Sequence, residues 1–187
     1  VRVNPAGAAK PLGLWTAMAA AALMMAHQVG GKSIRDALFL STHGAGDLPK
    51  MVAAAAVLSV LLGAAGSHLF SRLSPSRVVP WGFLLSAALQ VLEWWLVQVN
   101  AGWGSVVVYL HTVAFAAVLL SSFWLLLSER TNPVEAKKRY GRIAAMGTAG
   151  SVLGGLAAAR WQWMFPDSSE SSLLLGLGAV HALCGLV

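Results

Sequence analysis

The sequence has few charged residues and a single cysteine. Of its 187 residues, 11% are charged and 57% are hydrophobic, whereas an ordinary soluble domain carries about 25% charged and about 45–50% apolar residues. A soluble domain of this size needs a charged surface, and 13 basic plus 7 acidic residues cannot cover one. This shortage excludes a soluble enzyme and a disordered segment. Because Cys184 is alone, an internal disulfide and a cysteine-rich metal site are excluded as well.

Patterns that carry catalysis or ligand binding are also missing. No two histidines or cysteines have the spacing of a metal site, and no serine stands in a Ser/His/Asp context. The glycine-rich run Gly150–Gly155 is not followed by the Lys-Ser/Thr of a P-loop. We therefore predict a protein that is not an enzyme and that holds no cofactor and no metal. The net charge of +6 could suggest nucleic acid, but the apolar content favours a membrane instead.

Long apolar runs are what the sequence has in place of charge. A helix that crosses a bilayer needs about 20 mostly apolar residues. Strand-like alternation is absent and Ala, Leu and Gly dominate, which favours helices over a β-barrel. We predict one all-α transmembrane domain over residues 1–187, with the lipid bilayer as its surroundings. Its six helices are expected at about 12–40, 48–70, 78–98, 103–127, 143–161 and 172–187.

Local signals support these boundaries. Asp47 precedes Leu48-Pro49, which predicts a helix N-cap followed by a proline in the first turn. Asn132 stands three residues before Glu135, the spacing of a capping box. Because the chain begins at Val1 and stops at Val187 within an apolar run, we expect a fragment that is truncated in its sixth helix.

Lysines and arginines are concentrated in alternate loops. If the N-terminus is inside, the outside loops hold only Lys50 and Arg160, whereas the cytoplasmic segments hold nine basic residues. The excess of basic residues on cytoplasmic loops therefore predicts an inner-membrane protein with a cytoplasmic N-terminus. The nine residues are Arg2, Lys10, Arg72, Arg77, Arg130, Lys137, Lys138, Arg139 and Arg142.

The first predicted helix contains charged residues that do not suit lipid. Lys32, Arg35 and Asp36 share one helical face, with Gln28 a turn before them. Lys32 and Asp36 are four residues apart and can pair, which would leave the planar guanidinium of Arg35 for a phosphate or carboxylate. A charge within a span costs about 2.5–3.5 kcal/mol on insertion scales and by default marks function. We predict that these four residues bind substrate.

Other interpretations of this region and of the third helix stay open. The first helix could end at Gly31, with the two cations snorkelling at the interface. Glu93 is the only acid in the third span, where it is either a proton-coupling site or an interfacial residue. We interpret His27 and His111 as hydrogen-bonded packing residues and find no functional signal in His181. The small residues at 147, 150, 151, 154 and 155 predict close helix packing.

Several of these segments resemble one protein family. Lys32–Leu38, followed by Leu48-Pro49-Lys50, resembles the first two helices of the ATP:ADP antiporter family of nucleotide transporters. A second match joins Ser122–Glu129, Glu135–Arg139 and the run from Gly147 to Gly155, which are similar to the fourth helix, the following basic loop and the glycine-rich fifth helix of the family. Thr112 stands near the position where nucleotide exchangers carry a glutamate.

The resemblance implies the N-terminal half of a major-facilitator-type transporter, built as two inverted three-helix repeats, with a second six-helix half as its partner. In that family Lys32 would contact nucleotide phosphate. The expected function is secondary-active, alternating-access transport of an anionic small molecule, with nucleotide as the leading substrate. One alternative is a proton-coupled facilitator for another metabolite that uses Glu93. A second alternative is a non-transporting membrane anchor or sensor for an attached soluble domain.

Overall fold

The computed structural model describes residues 13–186, and this part of the chain is helical throughout, with no β-strand. Arg2 and Lys10, two of the nine basic residues that predict a cytoplasmic N-terminus, lie outside the described residues. The main differences from the sequence-based ranges are the starts of the third and fifth helices. The helices are α1 (Leu14–Thr42), α2 (Leu48–Phe70), α3 (Pro75–Val99), α4 (Ala101–Glu129), α5 (Pro133–Met164) and α6 (Leu173–Leu186).

Three of the helices are long and apolar enough to cross a membrane. They are α2 with the turn before it (Ala45–Phe70), α3 and α4. α1 and α5 are at least as long, but Ala, Gly and polar residues replace much of the Leu and Val in them. Large apolar side chains cover the outer surface, and Val60, Trp81 and Leu153 are each more than half exposed. Such a surface suits lipid rather than water.

The helix starts differ from the predicted capping pattern. Asn132 does cap α5, since its side chain accepts a 3.0 Å hydrogen bond from the Val134 amide. The capping box is not completed, because Glu135 pairs instead with Arg139 one turn on, at 3.2 Å. Asp47 does occupy the N-cap position of α2, with a proline in the first turn, but its side chain makes no capping bond and its carboxylate accepts from Lys50 Nζ at 2.8 Å.

A central group of four helices carries two peripheral ones. α1 packs against α4, α5 and α6, and α3 packs against α4 and α6. α2 packs mainly against α4, and α5 packs mainly against α1. Accordingly, Ala55 is the one buried residue of α2, and α5 buries only Ile143 and three glycines. The interior of the described bundle therefore lies between α1, α3, α4 and α6.

The contact between α1 and α5 brings their backbones together. A methyl group added at Gly150 would overlap the backbone of Ala22, and one added at Gly154 would overlap the backbone of Ala26. Gly147 is slightly less crowded, with Met25 Cγ 3.2 Å from the position of an added Cβ. The predicted small-residue face is thus confirmed as a packing surface.

The contact between α2 and α4 is open by comparison. A groove of about 480 Å³ separates the two helices. A methyl group added at Gly63 would meet nothing within 4 Å, and one added at Gly66 would lie 3.8 Å from Val118. Besides those two glycines and Val118, the groove is lined by residues that include Ser59, Phe70 and Ser122.

Candidate functional site

The charged residues of α1 are arranged differently from the prediction. Asp36 pairs with the adjacent Arg35, whose Nη2 and Nε lie 2.7 and 2.8 Å from Asp36 Oδ1. The guanidinium also lies over the ring of Tyr109 on α4, 4.6 Å from its centroid. Lys32 is exposed and forms no ion pair within residues 13–186. The expected Lys32–Asp36 pair is therefore wrong.

The chemistry of the two cations explains this exchange of partners. A guanidinium is planar and weakly hydrated, so it can stack on an aromatic ring and direct two N–H groups at one carboxylate. An ammonium is a compact, strongly hydrated point charge that has no planar face to stack in this way. Arg35 is consequently the held cation, with its side chain 14% exposed, and Lys32 is the accessible one.

Gln28 shares the face of α1 with these residues but contacts a different part of α4. Its Nε2 donates to the carbonyl oxygen of Ala116 at 3.3 Å. Among the described residues, no hydrogen bond or ion pair joins Gln28 or Lys32 to the Arg35–Asp36 pair. The structure therefore brings two of the four predicted site residues together and leaves the other two apart from them.

A second group of polar residues lies inside the bundle. Glu93 on α3 is 2% exposed, and its Oε1 lies 2.6 Å from Nδ1 of the buried His111 on α4. The approach is short, but the imidazole N–H is poorly aligned with the carboxylate. The other carboxylate oxygen, Oε2, is buried and has no hydrogen-bond partner among the described residues.

The far side of His111 continues this group toward α6. Its Nε2 lies 3.0 Å from the hydroxyl of Ser86, and the same hydroxyl lies 2.8 Å from Nδ1 of His181. Ser86 is completely buried and His181 is 2% exposed. Nε2 of His181 is a further buried atom without a partner in the described part of the chain.

His27 on α1 completes the group. Its ring stacks on the ring of His181 with 3.3 Å between centroids and 18° between planes, and its Nε2 contacts the amide of Gln90 on α3. Side chains from α1, α3, α4 and α6 therefore meet in one place. We call this group the buried polar network; its members are His27, Ser86, Gln90, Glu93, His111 and His181.

The sequence patterns drew attention to His27, Glu93 and His111 separately and did not predict the network. The interpretation of His27 and His111 as hydrogen-bonded residues is consistent with their contacts, whereas His181, for which no signal was found, is central. One signal was available: Ser86, Gln90 and Glu93 are spaced i, i+4 and i+7, which puts three polar side chains on one face of an apolar helix.

The network can hold and pass protons. A hydroxyl and a neutral imidazole each donate and accept a hydrogen bond, and a carboxylate accepts a proton. No group of three or more His, Cys, Asp or Glu residues within 13–186 is arranged to hold a metal ion. Proton transfer is a reaction that the hydroxyl, imidazole and carboxylate groups of the network can carry out.

The class that the structure defines is an all-helical bundle with helices of membrane-spanning length and ionisable residues in its interior. No protein-family model, curated protein or solved structure matches the chain.

Proposed function

We propose that the chain forms the N-terminal half of a secondary-active transporter, with six membrane helices in two inverted three-helix repeats of the major-facilitator type. The transporter moves an anionic solute by alternating access, and nucleotide exchange of the ATP:ADP antiporter kind is the leading candidate. It lies in the inner membrane with a cytoplasmic N-terminus and pairs with a second six-helix half.

The helix-packing pattern is the observation that carries this proposal. If α1, α2 and α3 are exchanged with α4, α5 and α6, the pair α1–α5 becomes α4–α2, and α3–α4 becomes α6–α1. The pairs α1–α4 and α3–α6 map onto themselves. All six extensively packed helix pairs of the described bundle are therefore reproduced by the exchange. Two inverted repeats related by a pseudo-two-fold axis would produce this pattern, and transporters use such repeats for alternating access.

The charges on α1 support an anionic solute. Lys32 and Arg35 face one acid, Asp36, and Asp36 is engaged by Arg35. The accessible ammonium of Lys32 is then the group that meets the solute, and the held guanidinium of Arg35 belongs to the next turn of α1. An ionisable residue within a membrane helix is by default a functional one.

Basic residues support the orientation. Arg72 and Arg77 flank the connection between α2 and α3, and Arg130 begins the connection between α4 and α5. If successive helices cross in opposite directions, these connections lie at the same end of the bundle. Lys50 and Arg160 would lie at the other end, so the basic residues favour a cytoplasmic location for the first end.

Uptake by the complete protein in proteoliposomes tests the substrate proposal. Lys32→Ala should abolish uptake of labelled nucleotide, since it removes the accessible cation. Lys50→Ala is the matched control, because Lys50 is an exposed lysine that pairs with Asp47 at the start of α2. Arg35→Lys should weaken uptake although the charge is kept, because lysine cannot reproduce the two contacts to Asp36.

The outcomes test the binding site and the transport proposal separately. If the Lys32→Ala protein takes up nucleotide like the parent and the Lys50→Ala protein, the charged cluster is not the binding site. If neither parent nor variants move any labelled anion across the membrane, the transport proposal itself is wrong. Matched amounts of inserted protein are needed in every comparison.

A second candidate is favoured by a separate observation. Glu93 is buried within the bundle, against His111. Acid–histidine chains within membrane helices form proton relays in pumps and transporters. A proton-coupled facilitator for another metabolite would use Glu93 as its coupling site, and its uptake, unlike nucleotide exchange, would depend on the pH gradient.

A further inference from the structure

We propose that the buried polar network is a proton relay, in which a proton enters at Nε2 of His181 and is bound at Glu93. This inference deepens the second candidate function, because it specifies how a proton reaches the coupling residue. It depends on the geometry of the network and not on the identity of the solute.

Short contacts lead from His181 to Glu93, and the last of them is not in hydrogen-bonding geometry. His181 Nδ1, the Ser86 hydroxyl and His111 Nε2 are joined by contacts of 2.8 and 3.0 Å, and His111 Nδ1 then lies 2.6 Å from Glu93 Oε1. Among these four side chains, three buried atoms have no hydrogen-bond partner in the described part of the protein. Two of them, His181 Nε2 and Glu93 Oε2, are the ends of the series, and the third is the poorly aligned His111 Nδ1. We assign proton entry and proton binding to these two ends because each has an unused hydrogen-bonding position.

The transfers balance atom by atom. Before uptake, His181 Nδ1–H donates to Ser86, Ser86 O–H donates to His111 Nε2, and His111 Nδ1–H faces ionised Glu93. A proton added to His181 Nε2 breaks the Nδ1–H bond and forms a new O–H bond on Ser86. The original Ser86 proton moves to His111 Nε2, and the His111 Nδ1 proton moves to Glu93 Oε1. The end state has a neutral carboxylic acid and the same links, each with donor and acceptor reversed.

The last transfer is the step that needs movement. The His111 Nδ1–H is not aligned with Glu93 Oε1 in this conformation, although the two atoms are 2.6 Å apart. A rotation of the carboxyl group or of the ring would align them. Protonation of Glu93 is thereby linked to a local rearrangement between α3 and α4.

The stacked rings of His27 and His181 disfavour a state in which both carry a proton charge. The two rings are stacked at 3.3 Å, so two positive charges there would repel strongly in a buried site. The titratable groups that face one another are His27 from α1, Glu93 from α3, His111 from α4 and His181 from α6. Among the described residues, no lysine or arginine forms an ion pair with any of them. Glu93 is the one acid of the buried polar network, and it lies at the opposite end of this series of contacts from His181.

Time-resolved infrared spectroscopy of the complete protein in membranes tests the relay. After a downward pH jump, the carbonyl band of a protonated carboxylic acid should appear, and Glu93→Gln should remove that band. Ser86→Ala should slow its appearance by about 10²-fold or more, since within residues 13–186 only this hydroxyl contacts both His111 and His181. The final amplitude should stay the same, because Glu93 is retained.

Ser122→Ala is the matched control. Like Ser86, Ser122 is a buried serine within a helix. Its hydroxyl, however, donates only to the carbonyl of Val118 in its own helix, α4. Its variant should take up the proton at the parental rate. Ser86→Thr, which keeps a hydroxyl, should restore much of the rate lost in Ser86→Ala.

Each result decides something. Equal rates for the Ser86→Ala, Ser122→Ala and parent proteins would overturn the relay, and a band unchanged by Glu93→Gln would overturn Glu93 as the binding site. If the band behaves as expected while no solute moves protons across proteoliposomes, the relay stands and the proton-coupled function fails.

Discussion

α5 lies against α1 with the two backbones in contact, whereas α2 lies against α4 across a groove of about 480 Å³. The two pairs occupy equivalent places when the first three helices are exchanged with the last three. Their difference shows that apolarity and tightness of packing are separate properties. α2 is apolar enough to span a membrane, yet Ala55 is its only buried residue. α5 is less apolar, yet its glycines make the closest helix contact, as expected where association depends on close packing and not on the exclusion of water.

The largest expected effect comes from filling the tight contact. Gly150→Leu should separate α5 from α1 and cost more than about 3 kcal/mol, because the new side chain would meet the backbone of Ala22. Gly63→Leu is the matched change on α2, where an added Cβ meets nothing within 4 Å, and it should leave the bundle folded. Thermal unfolding in detergent measures both. Equal stability of the two variants would contradict the contrast between the pairs.

Replacing glycine by alanine, a smaller change, should lower the stability at the α1–α5 contact and raise it at the α2–α4 contact. Gly154→Ala should destabilise the bundle by about 1–3 kcal/mol, because even a methyl group overlaps the backbone of Ala26. Gly63→Ala should stabilise it by about 0.5–1 kcal/mol, because alanine loses less backbone entropy in a helix and nothing obstructs it. Denaturant titrations followed by circular dichroism give both values. A stabilising effect at Gly154 would mean that α1 and α5 are not held this closely.

The smallest expected effect concerns the starts of the two peripheral helices. Asn132→Ala should cost about 1 kcal/mol and fray the first turn of α5, because it removes the hydrogen bond to the Val134 amide. Asp47→Ala should change little at α2, since Asp47 makes no capping bond there. Hydrogen exchange of the first-turn amides distinguishes the two. If Asp47→Ala accelerated exchange at the start of α2 more than Asn132→Ala did at the start of α5, the prediction would be wrong.

Local features of the fold could be predicted from the sequence. The bounds of α2 coincide with the expected 48–70, because apolar composition and flanking polar residues define them. The start of α5 could not be found from hydropathy, since the basic turns before Ile143 are helical without being apolar. Asp47 is a residue type that often caps helices, but it adopts helical backbone angles here. Its side chain pairs with Lys50 instead of bonding to the first-turn amides.

The candidate sites show where prediction from one sequence stops. The cationic face of α1 follows from helical periodicity alone, but the partner of Asp36 depends on where Tyr109 of α4 holds Arg35. His27 and His181 are separated by most of the chain, and nothing local indicates that their rings stack. Contacts between distant helices depend on the packing of the whole bundle, which residue spacing within one helix does not specify.

The backbone contact between α1 and α5 also has a genetic consequence. A larger residue at Gly150 or Gly154 meets the Cα and carbonyl atoms of Ala22 and Ala26 rather than their side chains. No smaller side chain on α1 can make room, because backbone atoms are present whatever residue stands there. Second-site suppressors of such changes should therefore be absent from the facing positions, and the two helices would have to move apart along their whole contact to accept them.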